Sequence, residues 1–409
     1  RTPHDWDVTT SALPQQTMEV FKGHRLLQTG LHHGTVTLLL QGEPIEITTY
    51  RIDGTYSDGR RPDKVTFTTN LTDDLARRDF TVNAMAWNPV EGLQDPFGGQ
   101  ADLAAKVIRC VGDPTLRFNE DALRVARAIR FAAQLGFALH PQTAVAVHRC
   151  APNLQAVAAE RIYPELKGLC CGQNALPVLL EYGDVVAAML PELAPMLNHP
   201  QYNVHHIYDV WQHSVYALSH VEPLPHLRLA ALLHDCGKPA VFTRDEEGVG
   251  HFYGHGEVSH TITQNLLKKL ACPAELRQQV CNLVKYHDAI IPLERPKLRR
   301  WIGRLGPQGM LDLVAIKRAD NAAQNPVYNY TGYYDQLEGL IRLIIEEKDC
   351  CNLEGLAVNG NDLMALGLQG SAIGQMLQRL LDDVMDGRLP NQKERLLHSV
   401  QRRLEKQSN

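Results

Sequence analysis

Apolar and polar positions follow one rhythm up to about residue 110 and another beyond it. Thr35-Val36-Thr37-Leu38-Leu39-Leu40 and Ile45-Glu46-Ile47-Thr48-Thr49-Tyr50 are β-rich runs, and Gly42-Glu43-Pro44 between them signals a hairpin. A polar loop, Asp53-Gly54-Thr55-Tyr56-Ser57-Asp58-Gly59-Arg60-Arg61-Pro62, separates the second run from Val65-Thr66-Phe67. After Asp113-Pro114 the spacing turns helical and stays so. It predicts a helix capped by Asn119, running through Leu123, Ala126, Ile129 and Ala133 and stopping near Gly136. Leu176 to Leu193 reads as an apolar helical stretch, 200–330 is rich in histidine, and 340–405 reads as two or three amphipathic helices. The expected outline is an α/β head followed by an all-α body.

At 409 residues the chain exceeds one compact core, so roughly two to four domains are expected. Its formal charge of −5 excludes a coat of basic residues for indiscriminate nucleic-acid binding, though a local stripe can still meet phosphates. Arg295, Lys297, Arg299, Arg300 and Arg304, with Trp301 among them, form either such a stripe or a solvated helix face. The nine cysteines are scattered without a C-x-x-C, which suits a reducing cytoplasm better than a disulfide framework or a zinc site. No apolar run is long enough to span a bilayer. The expectation is therefore a cytoplasmic protein with no membrane partner.

Candidate chemistry begins with Asp5-Trp6-Asp7. Carboxylates at i and i+2 of a strand share a face and can grip one divalent cation from one side. Glu46, in a neighbouring predicted strand, is either a third acid or an outward-facing strand residue. Downstream come Arg77-Arg78-Asp79-Phe80-Thr81-Val82-Asn83-Ala84, then Asp95-Pro96-Phe97-Gly98-Gly99, then Glu120-Asp121-Ala122-Leu123-Arg124. In that order these segments resemble the head of the class II tRNA nucleotidyltransferases, the CCA-adding enzymes and their poly(A) polymerase relatives. The resemblance implies a polymerase-beta-like mixed sheet with helices. It implies Mg²⁺ at Asp5 and Asp7, CTP and ATP as substrates, and tRNA as partner. The family's glycine turn and Arg-Asp pair before the acids are missing, so the resemblance also implies that the complete protein is longer at its N-terminus. The domains implied are a head over 1–112, a helical neck over 113–198, a metal-binding helical region over 199–335 and a tail over 336–409.

Asp121 and Arg124 would be i, i+3 neighbours on one helix face. A carboxylate accepts from an exocyclic amine and a guanidinium donates to ring acceptors. Cytosine and adenine carry that amine where uracil and guanine carry an oxygen, so such a fork accepts C and A and leaves buried groups unpaired with U and G. The alternative is an ordinary surface ion pair. By resemblance Arg78, Arg124, Arg127 and Arg130 face the nucleotide; otherwise Arg127 and Arg130 are solvated arginines on a long helix.

His234-Asp235, at the end of the apolar run Leu227–Leu233, resembles the signature of HD-domain phosphohydrolases. That pattern wants an upstream His and a downstream Asp, places that His213 and Asp320 fit, and a second divalent metal is implied. His255 and His287 are possible extra ligands, with His251, His260 and Asp288 as rivals.

Leu356-Ala357-Val358-Asn359-Gly360-Asn361-Asp362-Leu363, Gly370, Gly374 and Leu389–Glu394 resemble the bacterial CCA-adding tail, which implies contact with the tRNA elbow. The nearest rival functions are CC-adding or A-adding specialists and a poly(A) polymerase. Of another class are an HD phosphohydrolase with an RNA-binding head and an RNA chaperone.

Overall fold

The computed structural model describes residues 6–28, 30–54 and 64–408, which divide into compact units over 1–194 and 195–409. The first unit opens on a four-stranded mixed sheet made of β1 (Asp7–Thr10), β2 (Arg25–Leu27), β3 (Thr35–Leu40) and β4 (Glu43–Thr49), in the order β1-β4-β3-β2. β1 runs parallel to β4, and the other pairs are antiparallel. Gln41 and Gly42 both have positive φ, 54° and 90°, the two-residue turn whose twist suits a β3–β4 hairpin. Pro44, expected in that turn, lies within β4. Val36, Leu38 and Ile47 form the buried side of the sheet, beside α1 (Pro14–Val20).

A second hairpin, β5 (Arg51–Asp53) and β6 (Val65–Phe67), frames the polar loop, whose residues 55–63 lie outside the described residues. Asn70 caps α2 (Leu71–Ala76), accepting from Thr72 N at 3.0 Å. A third hairpin pairs β7 (Ala86–Asn88) with β8 (Gly92–Gln94). The Asp95–Gly99 motif is structural: Asp95 accepts from Gly99 N and Gln100 N at 2.7 and 2.9 Å where α3 (Gly99–Ala105) starts. A Cβ on Gly99 would come within 2.4 Å of the Thr81 carbonyl, so only glycine fits. β9 (Val107–Ile108) pairs with β10 (Ala138–Leu139).

The helix expected from Asn119 to Gly136 is two helices. Asp113, followed by Pro114, caps α4 (Pro114–Glu120) through Thr115 N and Leu116 N, and Asn119 lies in its last turn. Asp121 is extended, φ −143° and ψ 104°, and its carboxylate accepts from Leu123 N at the start of α5 (Leu123–Leu135). A short acidic side chain competes here for backbone donors and interrupts the helix. Gly136 ends α5 in the left-handed region, as the pattern predicts. α6 (Pro141–Cys150), α7 (Ala159–Cys170), α8 (Ala175–Glu181) and α9 (Gly183–Met189) complete the unit. The stretch Leu176–Leu193 is therefore not one helix. It breaks at buried Tyr182, which stacks on His148.

The second unit contains α10 (Val210–Ser219), α11 (Pro225–Leu233), α12 (Lys238–Val241), α13 (His255–Lys269), α14 (Ala274–Tyr286) and α15 (Arg295–Ala322), kinked at Gly306. α16 (Thr331–Glu346), α17 (Gly360–Ala365), α18 (Ser371–Met385) and α19 (Lys393–Ser408) follow. A short hairpin of β11 (Thr243–Arg244) and β12 (Gly250–His251) departs from the all-α expectation. Leu363, Leu380, Leu396 and Val400 centre the tail's own apolar core.

The basic stripe is partly tied into ion pairs, with Lys297, Arg300 and Arg304 remaining exposed. Arg295 and Arg299 each place Nε 2.7 Å from Asp349 Oδ2, Arg299 Nη1 also donates to the Met385 carbonyl, and Arg300 pairs with Asp386 at 2.6 Å. Arg304 lies over Trp301, and Lys297 pairs with Glu294. Arg295, Arg299 and Arg300 clamp α15 to the tail. Among the described residues no helix is long and apolar enough to cross a membrane.

Candidate active site and metal centre

In the head, the β1–β4 register sets Asp7 beside Glu46 and Thr9 beside Thr48. Residues paired in register on neighbouring strands project to one face, so Asp7 and Glu46 stand side by side there. Both are exposed, and neither has a cationic partner among the described residues. Two adjacent unneutralised carboxylates suit a divalent cation with oxygen ligands. Asp5 lies outside the described residues.

The arginines gather around the same unit. Arg78 Nη1 reaches the Asn83 carbonyl at 3.5 Å, while its buried Nε has no acceptor among the described residues. Asp79 accepts from Phe80 N at 2.8 Å, from Asn83 Nδ2 and from Arg127 Nε at 2.8 Å, so Arg127 is tied to the Arg-Asp-Phe motif rather than solvated. Arg130 Nε donates to Glu165 at 2.5 Å, and its guanidinium lies over Phe131. The Asp121–Arg124 fork on a single helix face is not what folds, because the chain breaks at Asp121. Asp121 Oδ2 is held by Arg161 Nη2 at 2.8 Å. Arg124 is held by Glu120 at 2.7 Å and by the carbonyls of Arg117 and Arg77 at 3.2 and 3.0 Å. The sequence reading missed Arg161; its i, i+4 spacing to Glu165 on α7 was the available signal.

In the second unit the residues predicted from the His-Asp pattern converge. His213 Nε2 lies 3.0 Å from Asp320 Oδ1, 3.4 Å from Asp235 Oδ2 and 3.3 Å from His234 Nε2, which is 3.2 Å from Asp235 Oδ2. Ligands about 2.1 Å from one ion stand about 3–3.5 Å apart, so these separations match a shared cation. The other oxygen, Asp235 Oδ1, faces His255 Nε2 at 3.3 Å and His287 Nε2 at 3.5 Å, and those two nitrogens are 3.0 Å apart. His255 and His287, the possible extra ligands, thus stand together at the other oxygen of Asp235. His251 instead pairs with Asp245, His260 Nδ1 meets the Cys281 carbonyl, and Asp288 is exposed.

Helix ends supply these side chains. His234 and His287 terminate α11 and α14, and His255 opens α13. Each ring is fixed by Nδ1 against a carbonyl: His213 on Ala323, His234 on Ala231, His255 on Phe252 and His287 on Val284. With Nδ1 donating, Nε2 presents a lone pair to the centre, the arrangement that orients histidine ligands. Lone pairs of nitrogen then face the lone pairs of Asp235, whose Oδ2 is met by Lys238 Nζ at 2.7 Å while Oδ1 faces only imidazole nitrogens among the described residues. A cation between them resolves that opposition, so the donors fit a metal. Without one, burial opposes the charge on His234 but Asp235 and Asp320 outweigh it and raise its pKa. His206, absent from the expected set, lies at the same cluster. Its Nε2 is 3.2 Å from Lys238 Nζ, which also reaches Gln201 Oε1 and Asp235 Oδ2 at 2.7 Å. Burial, Lys238 and His213 push its pKa down to about 2. Nothing in the local spacing marked it, because a loop folds it back.

Comparison with known proteins follows this layout. Residues 1–109 match the "Poly A polymerase head domain", 136–197 the "Probable RNA and SrmB-binding site of polymerase A", and 243–400 a tRNA nucleotidyltransferase domain 2. The CCA-adding enzyme of Leuconostoc citreum is 49% identical over 181 residues, 44% of this chain and 44% of that protein. That of Geobacillus stearothermophilus is 45% identical over 193 residues, 46% and 47% of the two chains. The chain spans about half the length of the relatives it matches. In fold, the Bacillus stearothermophilus CCA-adding enzyme in complex with CTP superposes with a TM-score of 0.73 at 26% identity, covering 100% of this chain and 90% of the other. The Thermotoga maritima CCA-adding enzyme complexed with tRNA shares the fold at 21% identity, TM-score 0.55, over 98% and 87% of the chains. Matches to the head, the RNA-binding segment and the second domain thus follow one another along the chain, and its fold is like that of the solved CCA-adding enzyme.

Proposed function

We propose that the protein is a template-independent CTP/ATP:tRNA nucleotidyltransferase that adds or repairs the 3′-CCA end in the cytoplasm. The observation that carries this reading is the Asp7–Glu46 register in a head whose fold is that of a CTP-bound CCA-adding enzyme. Asp5, Asp7 and Glu46 would hold Mg²⁺, which neutralises triphosphate charge and acidifies the attacking hydroxyl. Asp121 accepts the exocyclic amine of C or A, and Arg124 donates to the ring. Arg78, Arg127 and Arg130 face the nucleotide's phosphates, and the Arg78 Nε, buried with no acceptor among the described residues, supports its part. Residues 1–112 act as head, 113–198 as neck, 199–335 as metal-binding region and 336–409 as the tail that meets tRNA by shape and backbone. The test is single-nucleotide incorporation on tRNA lacking CCA: CMP should be incorporated and UMP and GMP refused. Equal use of all four nucleotides contradicts the reading.

A second activity has its own support. His213, His234, Asp235 and Asp320, with His255 and His287, would hold one or two divalent ions and hydrolyse a phosphate ester. A bound ion there supplies a water acidic enough to attack at neutral pH. The convergence of four imidazole Nε2 atoms on the Asp235 carboxylate, each ring turned by Nδ1 toward a backbone carbonyl, supports it. Release of phosphate from a nucleoside monophosphate, lost on His234→Ala with CMP incorporation intact, is the expected result. Phosphate release unchanged in that variant contradicts it.

A further inference from the structure

Asp74, on α2, has no exposed surface, yet it is an acid with four donors around it from three directions. Arg77 donates to its Oδ1 from Nε at 3.0 Å and from Nη2 at 2.9 Å. The backbone N–H of Arg51, first residue of β5, reaches the same oxygen at 3.2 Å. On the other side Thr9 Oγ1 stands 3.4 Å from Oδ2. Burying a charge is costly unless it is paired and hydrogen-bonded, and Arg77 with the Arg51 N–H meets that need at Oδ1, while Oδ2 shares the single Thr9 hydroxyl proton with the Thr48 carbonyl, 3.3 Å from Oγ1.

What those partners carry is the point of interest. Thr9 is two residues along β1 from Asp7 and shares its face. Arg51 begins the strand that leads into the 54–64 loop, and Arg77 Nη1 also approaches Asp53 Oδ2 at the end of that strand, at 3.9 Å. The carbonyl of Arg77 accepts from Arg124 Nη2 at 3.0 Å, and the carbonyl of Ala76 accepts from Arg117 Nη1 at 3.2 Å. Arg117 in turn pairs with Glu120, the residue that holds Arg124. A cleft of about 120 Å³, lined by Asp53, Arg77, Arg117 and Glu120 among others, lies where these groups meet.

We propose that Asp74 is a positioning residue for nucleotide selection. It sets where Arg124 stands relative to the strand that carries Asp7, with Arg77 as the intermediary and the base of the loop tied to the same carboxylate. The inference rests on the nucleotidyltransferase reading of Asp7 and Arg124. Its physical basis is directionality. An apolar residue would join the elements just as firmly, but it would not fix the Arg77 guanidinium, and with it the carbonyl on which Arg124 is seated. A displacement of about 1 Å at such a site costs on the order of 100-fold in rate.

Asp74→Asn keeps the shape and removes the charge. Its amide oxygen can still accept from Arg77 and the Arg51 N–H while Nδ2 donates to Thr9 Oγ1, so the variant tests the charge opposite the Arg77 guanidinium rather than the count of hydrogen bonds. Arg77→Lys keeps a cation opposite Asp74 but loses the two-pronged grip. Both variants, in the complete protein, are assayed for kcat and KM with CTP, ATP, UTP and GTP on tRNA lacking CCA and on tRNA ending in CC. Thermal unfolding and a Mg²⁺ titration run alongside. The expected result is a fall of about tenfold in discrimination against UTP and GTP, carried by KM for CTP and ATP, with the Mg²⁺ midpoint unchanged. If Asp74→Asn does not fold, Arg77→Lys gives the answer. Rates that fall equally for all four nucleotides, or discrimination equal to wild type, overturn the inference. Wild-type protein that incorporates neither C nor A overturns the parent reading instead, and this inference with it.

Discussion

Asp121 and Arg161 form an ion pair between the break in the neck helices and α7, with Arg161 Nη2 2.8 Å from Asp121 Oδ2. The acid assigned to read the base is therefore anchored from a neighbouring helix, while Arg124 is seated separately on Glu120 and two carbonyls. Both side chains are held before a nucleotide arrives. Prepositioned groups of this kind need little rearrangement when the base binds.

Asp121→Ala should erode selection of C and A more than it erodes metal binding, by about 10-fold to 100-fold in the kcat/KM ratio against UTP and GTP. Steady-state incorporation with each nucleotide measures it. Arg161→Ala should show the same change in smaller measure, since Asp121 then keeps only its bond to Leu123 N. Discrimination that stays intact in both variants would refute the base-reading role.

Glu46→Gln separates a metal-binding acid from an ordinary outward strand residue. The register beside Asp7 predicts a drop in kcat of about 100-fold or more for CTP and ATP alike, with a higher Mg²⁺ requirement. A variant with wild-type kcat and Mg²⁺ dependence would return Glu46 to the role of a solvated strand position.

The histidine-rich centre predicts metal content. Its imidazole-dominated donors favour a first-row transition metal over Mg²⁺. Elemental analysis of purified protein should find such a metal, and His234→Ala should lose it. Chelation should lower the melting temperature of the wild type more than that of the variant, because metal binding stabilises only the folded chain. Unchanged metal content in His234→Ala would remove that residue from the ligand set.

The clamp between α15 and the tail predicts an acid-sensitive contribution to stability. Hydrogen bonds from Arg295, then from Arg299, hold the Asp349 carboxyl below its ordinary pKa against the opposing effect of burial. A depressed folded pKa means that the stabilisation is complete above the unfolded value, about 3.9, and is lost as pH falls through the folded one. Asp349→Asn should cost about 1 kcal/mol at neutral pH, since Arg295 is partly open to solvent. Its melting temperature should also fall less steeply below about pH 4. Parallel pH profiles for the two proteins would contradict the clamp.

Legibility followed the range of the interactions. The β3–β4 hairpin and the stop at Gly136 were readable because alternation and a positive-φ turn are local properties. The His213, His234, Asp235 and Asp320 grouping was readable because the His-Asp pair marks a pattern. The break at Asp121 was not, since helical periodicity averages over several residues and one extended residue barely alters it. The ion pairs of the stripe from Arg295 were not legible because the partner shared by Arg295 and Arg299, Asp349, lies 54 residues from Arg295. His206 was missed for a similar reason: it reaches the centre only through a loop whose path the sequence does not announce.

The central claim is that the paired acids Asp7 and Glu46, with a prepositioned acid and arginine further along, build a defined trinucleotide without a template. The most direct test incubates complete protein with tRNA lacking CCA, first with CTP alone and then with CTP and ATP, and resolves the products by length. Two added residues, extended to three and no further, is the predicted result. A long A tract, arrest after two residues with ATP present, or no extension at all would contradict it.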